Sequence, residues 1–226
     1  NQTGDAMPRR PASVNAYLGA RPVAEALAGG ADVVVTGRVV DSAVMLGPLI
    51  HEFGWNEDQY DELAQGSLCG HVIECGAQCT GGNFTDWHTV PDFSNISYPV
   101  AEVSADGSFV IGITPGSGGL ATVGSVGEQV LYEIGDPASY LLPDVACDFT
   151  QVALEQIAEN EVRVSGARGR APGDKYKVCA TWRDGFQVKG CIMIGGPRAL
   201  DKARTAMEAW VKRVRDYYAA NDLADF

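Results

Sequence analysis

His71, Cys75 and Cys79 recur at intervals of four residues in the stretch GHVIECGAQCT, from Gly70 to Thr80. If that stretch is helical, the three side chains stack one above the next on a single face. An imidazole one turn from a thiol can lower the thiol's pKa, which is what a nucleophilic cysteine needs. Glu74 is the neighbouring candidate for general acid–base work. The same spacing also suits small thiols packed into a core. As metal ligands, three groups along one helix do not close a tetrahedral site unaided.

Three further stretches could bind a ligand. In TGRVVDS (residues 36–42), Thr36 and Gly37 follow an apolar run, Arg38 offers a planar fork for a carboxylate or phosphate, and Asp41 and Ser42 stand at a helix start. The competing reading is that Asp41 caps the helix and Arg38 is an ordinary surface cation. A second stretch, SADGSF (104–109) with Asp106 in it, is followed by TPGSGG (114–119), where backbone N–H groups could face an anion. It is neither a phosphate-binding lysine loop nor a dinucleotide fingerprint, so a plain turn competes with it. The third, SGARGRAPGDKYK (165–177), carries Arg168, Arg170, Lys175 and Lys177 within ten residues. That density suits a phosphorylated ligand such as coenzyme A or an acidic partner surface, and a solvated hairpin loop competes with both.

The elements that must position these residues can be read from breakers and apolar spacing. Pro22 and the Gly29-Gly30 pair bracket a helix over 21–28, and Asp32 to Thr36 reads as a strand buried on both faces. A helix from Asp41 or Ser42 to Phe53 follows, with further helices over 57–64, 68–79 and 123–134. The succession of helix, buried strand and helix predicts an α/β fold whose first part is a mostly parallel sheet flanked by helices. Near Pro143, around residues 143–150, the character changes to a strand-rich second part with runs near 152–157, 162–164, 178–182 and 188–194. Asp184-Gly185 is a hairpin turn in this reading, and a long helix from Pro197 to Ala220 closes the chain.

Composition sets the outer limits. The 226 residues are 46% hydrophobic and 20% charged, enough for one sizeable core. Lys and Arg number 17 against 29 Asp and Glu, and this net charge of −12 opposes the phosphate backbone of nucleic acid. No apolar run reaches the roughly 20 residues of a bilayer span, and the opening residues lack a signal-peptide core. No membrane association is expected, and the expected compartment is the cytoplasm, or the mitochondrial matrix if the source is eukaryotic. The six cysteines form no C-x-x-C pair and are expected to be reduced.

Taken together, these stretches resemble the acyclic terpene utilisation family. The resemblance rests on SVNAYLGARP (13–22), GADVVVTGRVVDS (30–42), GPLIHEFGW (47–55), GHVIECGAQCTGG (70–82), ADGSFV (105–110), LYEIGDP (131–137), YLLPDV (140–145) and VSGARG (164–169). It covers almost the whole chain as a single region. Family members are longer and begin with a Gly-rich segment, so the resemblance implies an internal fragment lacking the N-terminal part.

The family's genes accompany biotin-dependent acyl-CoA carboxylases and enoyl-CoA hydratase relatives in the breakdown of citronellol, geraniol and leucine-type branched acids. The resemblance therefore implies an enzyme acting on a branched-chain or isoprenoid acyl-CoA by hydration, dehydration or C–C cleavage. No cofactor is expected beyond the coenzyme A of the substrate, and a homo-oligomer is expected. In that reading Glu74 or His71 is the base and Cys75 an alternative nucleophile. Gly37, Gly81 and Gly82 supply N–H donors to the thioester oxygen. Arg38 holds a carboxylate or phosphate, and Thr36, Asp41, Ser42, Asn83, Asp106 and Arg168 complete the binding set. The alternative is a non-catalytic assembly or regulatory partner of the carboxylase, which requires a broad apolar surface patch and no enclosed pocket around residues 36–42 and 71–83. A zinc hydrolase, with His51 or His88 as a further ligand, ranks last, and no metal is expected.

Overall fold

The computed structural model describes residues 6, 10–183 and 185–223, in two compact units, residues 1–182 and residues 183–226. The first unit opens with β1 (Ser13–Ala16), α1 (Arg21–Ala28), α2 (Ala43–Phe53) and α3 (Tyr60–Glu74). Pro22, with its fixed φ, starts α1, and the Ala20 N–H at that helix start donates to the Asp144 carboxylate at 2.8 Å. Gly54, in the left-handed conformation at φ 66°, ends α2. Asp61 and Glu62 in the first turn of α3 oppose its dipole, and every residue from Leu63 to Val72 is buried. Such a helix packs on all sides, which requires small residues where backbones meet. At Gly70 a Cβ would lie 2.5 Å from the Ser42 carbonyl, so α2 and α3 approach as closely as they do only because that side chain is absent.

The strands follow: β2 (Pro99–Val103), β3 (Phe109–Ile113), then α4 (Val123–Leu131), β4 (Tyr140–Leu141), β5 (Ala146–Asp148), β6 (Ala153–Ala158), β7 (Glu161–Ser165), β8 (Arg168–Arg170) and β9 (Val178–Thr181). Thr122 and Ser125 form a reciprocal capping box that starts α4. The sheets have orders β2-β3-β7-β6, β4-β5-β8 and β1-β9. Alternation is strict on the inner face of the largest: Phe109 pairs with Val164 and Ile111 with Val162, all four at most 1% exposed. They meet Leu46, Leu63, Leu68, Val72 and Val126 in one core.

The expected mostly parallel sheet is corrected. Every strand pairing among the described residues is antiparallel, and the chain is α/β only in the coarse sense of mixed helices and sheets. A lone parallel bridge, Leu18 to Val39, joins the segments on either side of α1. The apolar run Asp32 to Thr36, read as a strand buried on both faces, is irregular, with Val33 80% and Val35 91% exposed. Apolar composition favours burial, but a strand also needs a neighbouring edge. Short local connections supply such edges to β2-β3 and β6-β7, and none reaches 32–36.

The expected helices 57–64 and 68–79 are one helix, α3, broken after Glu74 by Gly76 at φ 58° and continued only by a 3₁₀ turn, Gly76–Gln78. In the second unit, the expected strand near 188–194 is irregular, since β9 pairs with β1 instead. The Asp184 half of the expected hairpin lies outside the described residues. The expected terminal helix is present as α5 (Ala199–Ala220).

Candidate functional site

The break after Glu74 takes His71, Cys75 and Cys79 off one helical face. His71, one turn before the end of α3, is 6% exposed and donates from Nε2 to the Gln129 carbonyl of α4 at 2.9 Å. Gln129 answers with its side-chain amide to the His71 carbonyl at 3.0 Å, so the two helices are latched in both directions. Burial lowers the His71 pKa, against the raising effects of that hydrogen bond and of Glu74, Glu133 and Asp41. The imidazole is therefore held neutral.

Cys75 turns to Glu74, and its thiol donates to the carboxylate at 2.7 Å. Burial, and then that hydrogen bond, push the Cys75 thiol up to about 11. Cys69, Cys79 and Cys147 are pushed up by burial to about 12. The expectation that His71 lowers a thiol pKa is thus not met, because the imidazole faces a carbonyl and the thiol faces a carboxylate. Iodoacetamide at pH 8 is expected to modify the exposed Cys179 and Cys191 at once and the other four cysteines only after unfolding. Rapid labelling of Cys75 would reveal a thiolate that this geometry does not produce.

The remaining expected residues fall at separate places. Ser42 is buried at the start of α2 with its hydroxyl unpaired. The N–H groups of Gly81 and Gly82 already donate to the carbonyls of Gln78 and Ala77. Asn83 borders an open groove against α4. Asp106 accepts from the hydroxyl and backbone N–H of Ser108, which lower its pKa and make it a turn residue between β2 and β3. Arg168 donates to Asp61 at 2.8 Å, and the Gly169 N–H donates to the other oxygen of the same carboxylate, so β8 is tied to the start of α3. His51 lies against α1 and His88 against Trp87, neither beside His71. Among the described residues no three His, Cys, Asp or Glu side chains come together as metal ligands.

Two of the expected stretches do meet. Leu18 is bonded to the 38–40 segment through Leu18 N–H to Arg38 O and Val40 N–H to Leu18 O, while the Tyr17 N–H donates to Lys177 O. These bonds set the Tyr17 ring with the Arg38 guanidinium 5.1 Å and the Lys177 ammonium 5.0 Å from its centre. Beside this clamp is a cavity of about 320 Å³ lined by the apolar Val40, Tyr140, Leu142 and Pro143 and by two carboxylates and two ammonium groups, Asp41, Asp174, Lys175 and Lys177. Thr36, exposed, precedes this segment. Gly37, Arg38 and Asp41 line a shallower depression that shares Asp41 with the cavity.

Behind the apolar wall, Tyr140 packs on Phe149 at 5.7 Å and on His71 at 6.3 Å between ring centres. Burial and then the Asp41 carboxylate raise the Tyr140 pKa, so the phenol keeps its proton. An apolar pocket with few convergent polar groups is the usual form of a small-molecule site. A larger hollow of about 600 Å³ lies against the outer face of the four-stranded sheet, but Glu102, Glu159 and Glu161 line it without a cation. That charge disfavours an anionic ligand there.

Residue-by-residue reading found Lys175 and Lys177 through charge density, and Arg38 and Asp41 through the turn after the apolar run. It gave no role to Tyr17, Val40, Tyr140, Leu142 or Pro143: the β1–β9 pairing and the bridge to Val39 bring Tyr17, Val40 and Lys177 together, while the β4–β5 pairing and the Ala20–Asp144 hydrogen bond hold the 140–144 segment.

Comparison with sequence models of protein families matches residues 1–225 to the one described as acyclic terpene utilisation family protein AtuA. Comparison with curated proteins and with solved structures yields no match.

Proposed function

The chain belongs to the acyclic terpene utilisation family AtuA, which indicates a general catabolic role, and on that premise we propose that it is an enzyme acting on branched-chain or isoprenoid acyl-coenzyme A thioesters. Hydration, dehydration and C–C cleavage are the reaction classes in view, since each develops charge at the thioester oxygen and needs a base near the acyl chain. One observation carries the reading: the cavity walled by Val40, Tyr140, Leu142 and Pro143 opens beside Arg38, Lys175 and Lys177, three cations against the carboxylates of Asp41 and Asp174, in a chain of net charge −12. The apolar wall suits the hydrocarbon chain, and the local cations suit the coenzyme's phosphates despite the acidic surface. His71 stands behind the wall through Tyr140, with Glu74 and Cys75 following it at the end of α3.

The test is thermal unfolding against a panel of acyl-coenzyme A thioesters. A ligand at 100 times its dissociation constant adds roughly 2.7 kcal/mol of stability. Branched and isoprenoid thioesters are expected to raise the midpoint more than straight-chain ones of equal length. No shift with any thioester or with free coenzyme A would overturn the reading.

A specific observation favours a second reading, a non-catalytic partner of a biotin-dependent acyl-CoA carboxylase. Phe186, Val188 and Met193, large apolar side chains within eight residues of one another in the second unit, are exposed, and a partner protein would cover them. Association with carboxylase subunits without any thioester-dependent shift would establish that reading in place of the first.

A further inference from the structure

The cavity holds two groups with the chemistry for proton transfer, and neither was expected to be catalytic. Asp41 stands directly before the first turn of α2, where the Ala43 N–H donates to the Val40 carbonyl and the Leu46 N–H to the Ser42 carbonyl. Its position is therefore set by a helix end rather than by a free loop. It borders both the cavity and the adjoining depression, and among the described residues its carboxylate has no hydrogen-bond or ion-pair partner. Tyr140 lines the same cavity from β4, and its ring is held against His71 and Phe149. Its hydroxyl is likewise without a hydrogen-bond partner among the described residues. Glu74, by contrast, accepts the Cys75 thiol and borders none of the hollows described above.

We propose that Asp41 and Tyr140 are the catalytic pair of this pocket, Asp41 as the base that takes a proton from the substrate's α-carbon and Tyr140 as the donor of a hydrogen bond to the thioester oxygen. The proposal rests on the reading that the cavity takes an acyl thioester. In the step, an Asp41 carboxylate oxygen forms an O–H bond as the α C–H bond breaks. The electron pair of that bond becomes the C=C of the enolate, and the carbonyl π pair moves onto the oxygen that faces the Tyr140 hydroxyl. Tyr140 remains protonated throughout, as its raised pKa favours. His71 is a positioning residue, because it touches Tyr140 and borders none of these hollows. In heavy water the protonated Asp41 exchanges with solvent and returns a deuteron to the same carbon, so exchange requires no co-reactant.

The experiment incubates the protein in D₂O with 3-methylbutanoyl-coenzyme A, which carries α-protons, and follows deuterium in the acyl group by mass spectrometry. Thermal unfolding with the same thioester reports binding separately. Wild-type protein is expected to incorporate deuterium. Asp41→Asn is expected to slow incorporation by about 100-fold or more while the thioester still raises its midpoint. Tyr140→Phe, which keeps the ring packed on His71, is expected to slow it by about 100-fold. If wild type binds the thioester without exchange, or Asp41→Asn exchanges at the wild-type rate, the pair is overturned and the binding reading stands. If no thioester binds, both fall together.

Discussion

Replacing Arg38 and Lys177 together by alanine is expected to weaken binding of an acyl-coenzyme A thioester by about 100-fold. Both cations sit about 5 Å from the Tyr17 ring centre, held there by backbone bonds from Tyr17 to Lys177 and from Leu18 to Arg38. A charge-assisted hydrogen bond to an anion contributes about 1.5–3 kcal/mol, which is tenfold or more in affinity for each cation. Titration calorimetry at low salt is the direct measurement. The wild-type affinity should also fall as ionic strength rises, since exposed charges are screened within about 10 Å at 0.1 M salt. A double variant that binds like wild type would place the coenzyme's phosphates elsewhere and detach the clamp from the cavity's function. The backbone bonds that build the clamp are unaffected by either substitution, so a loss of binding with an unchanged unfolding midpoint in the absence of ligand would isolate the electrostatic contribution.

Gln129→Ala is expected to destabilise the protein by about 3 kcal/mol in urea unfolding. Gln129 is fully buried, and its amide is the partner of the His71 carbonyl. Its removal leaves that carbonyl unpaired, at about 1–3 kcal/mol, and opens a cavity between α3 and α4. A change below about 1 kcal/mol would mean that the two helices repack without the latch.

Burial of the His71 imidazole, against the raising effect of its bond to Gln129, gives a pH dependence with a definite sign. The pKa of His71 is lowered from 6.5 in the folded protein, so the unfolded chain binds the proton first as pH falls. Its contribution to stability is complete above pH 6.5 and declines as the pH drops below that value, at up to about 1.4 kcal/mol per unit. His71→Gln should flatten the difference between urea midpoints at pH 7.5 and 5.5. An equally steep dependence in that variant would assign the acid sensitivity to other groups.

Much of the local structure was legible from residue order. Pro22 and the Gly29-Gly30 pair bracket α1 as read, the apolar spacing after Ser42 gives α2, and the run to Ala220 gives α5. These are short-range effects: a fixed φ, a missing Cβ and a repeating apolar stripe act within one or two turns. The motif strings likewise sufficed for the family, because they span the chain and do not depend on knowing which segments touch.

What residue order did not determine was pairing. Val33 and Val35 have the composition of a buried strand and are exposed, since burial requires a partner edge that 32–36 does not acquire. His71, Cys75 and Cys79 have helical spacing, yet Gly76 turns left-handed and the chain leaves the helix, so their side chains take different partners. The cavity depends on contacts between residues 17, 38–41, 140–143 and 173–177, more than 100 positions apart at the extremes. Charge density marked 173–177 as a candidate, and the turn after the apolar run marked 38–41. Their meeting followed from the β1–β9 pairing and the Leu18–Val39 bridge, whose hydrogen bonds are long-range and leave no periodic trace in the sequence.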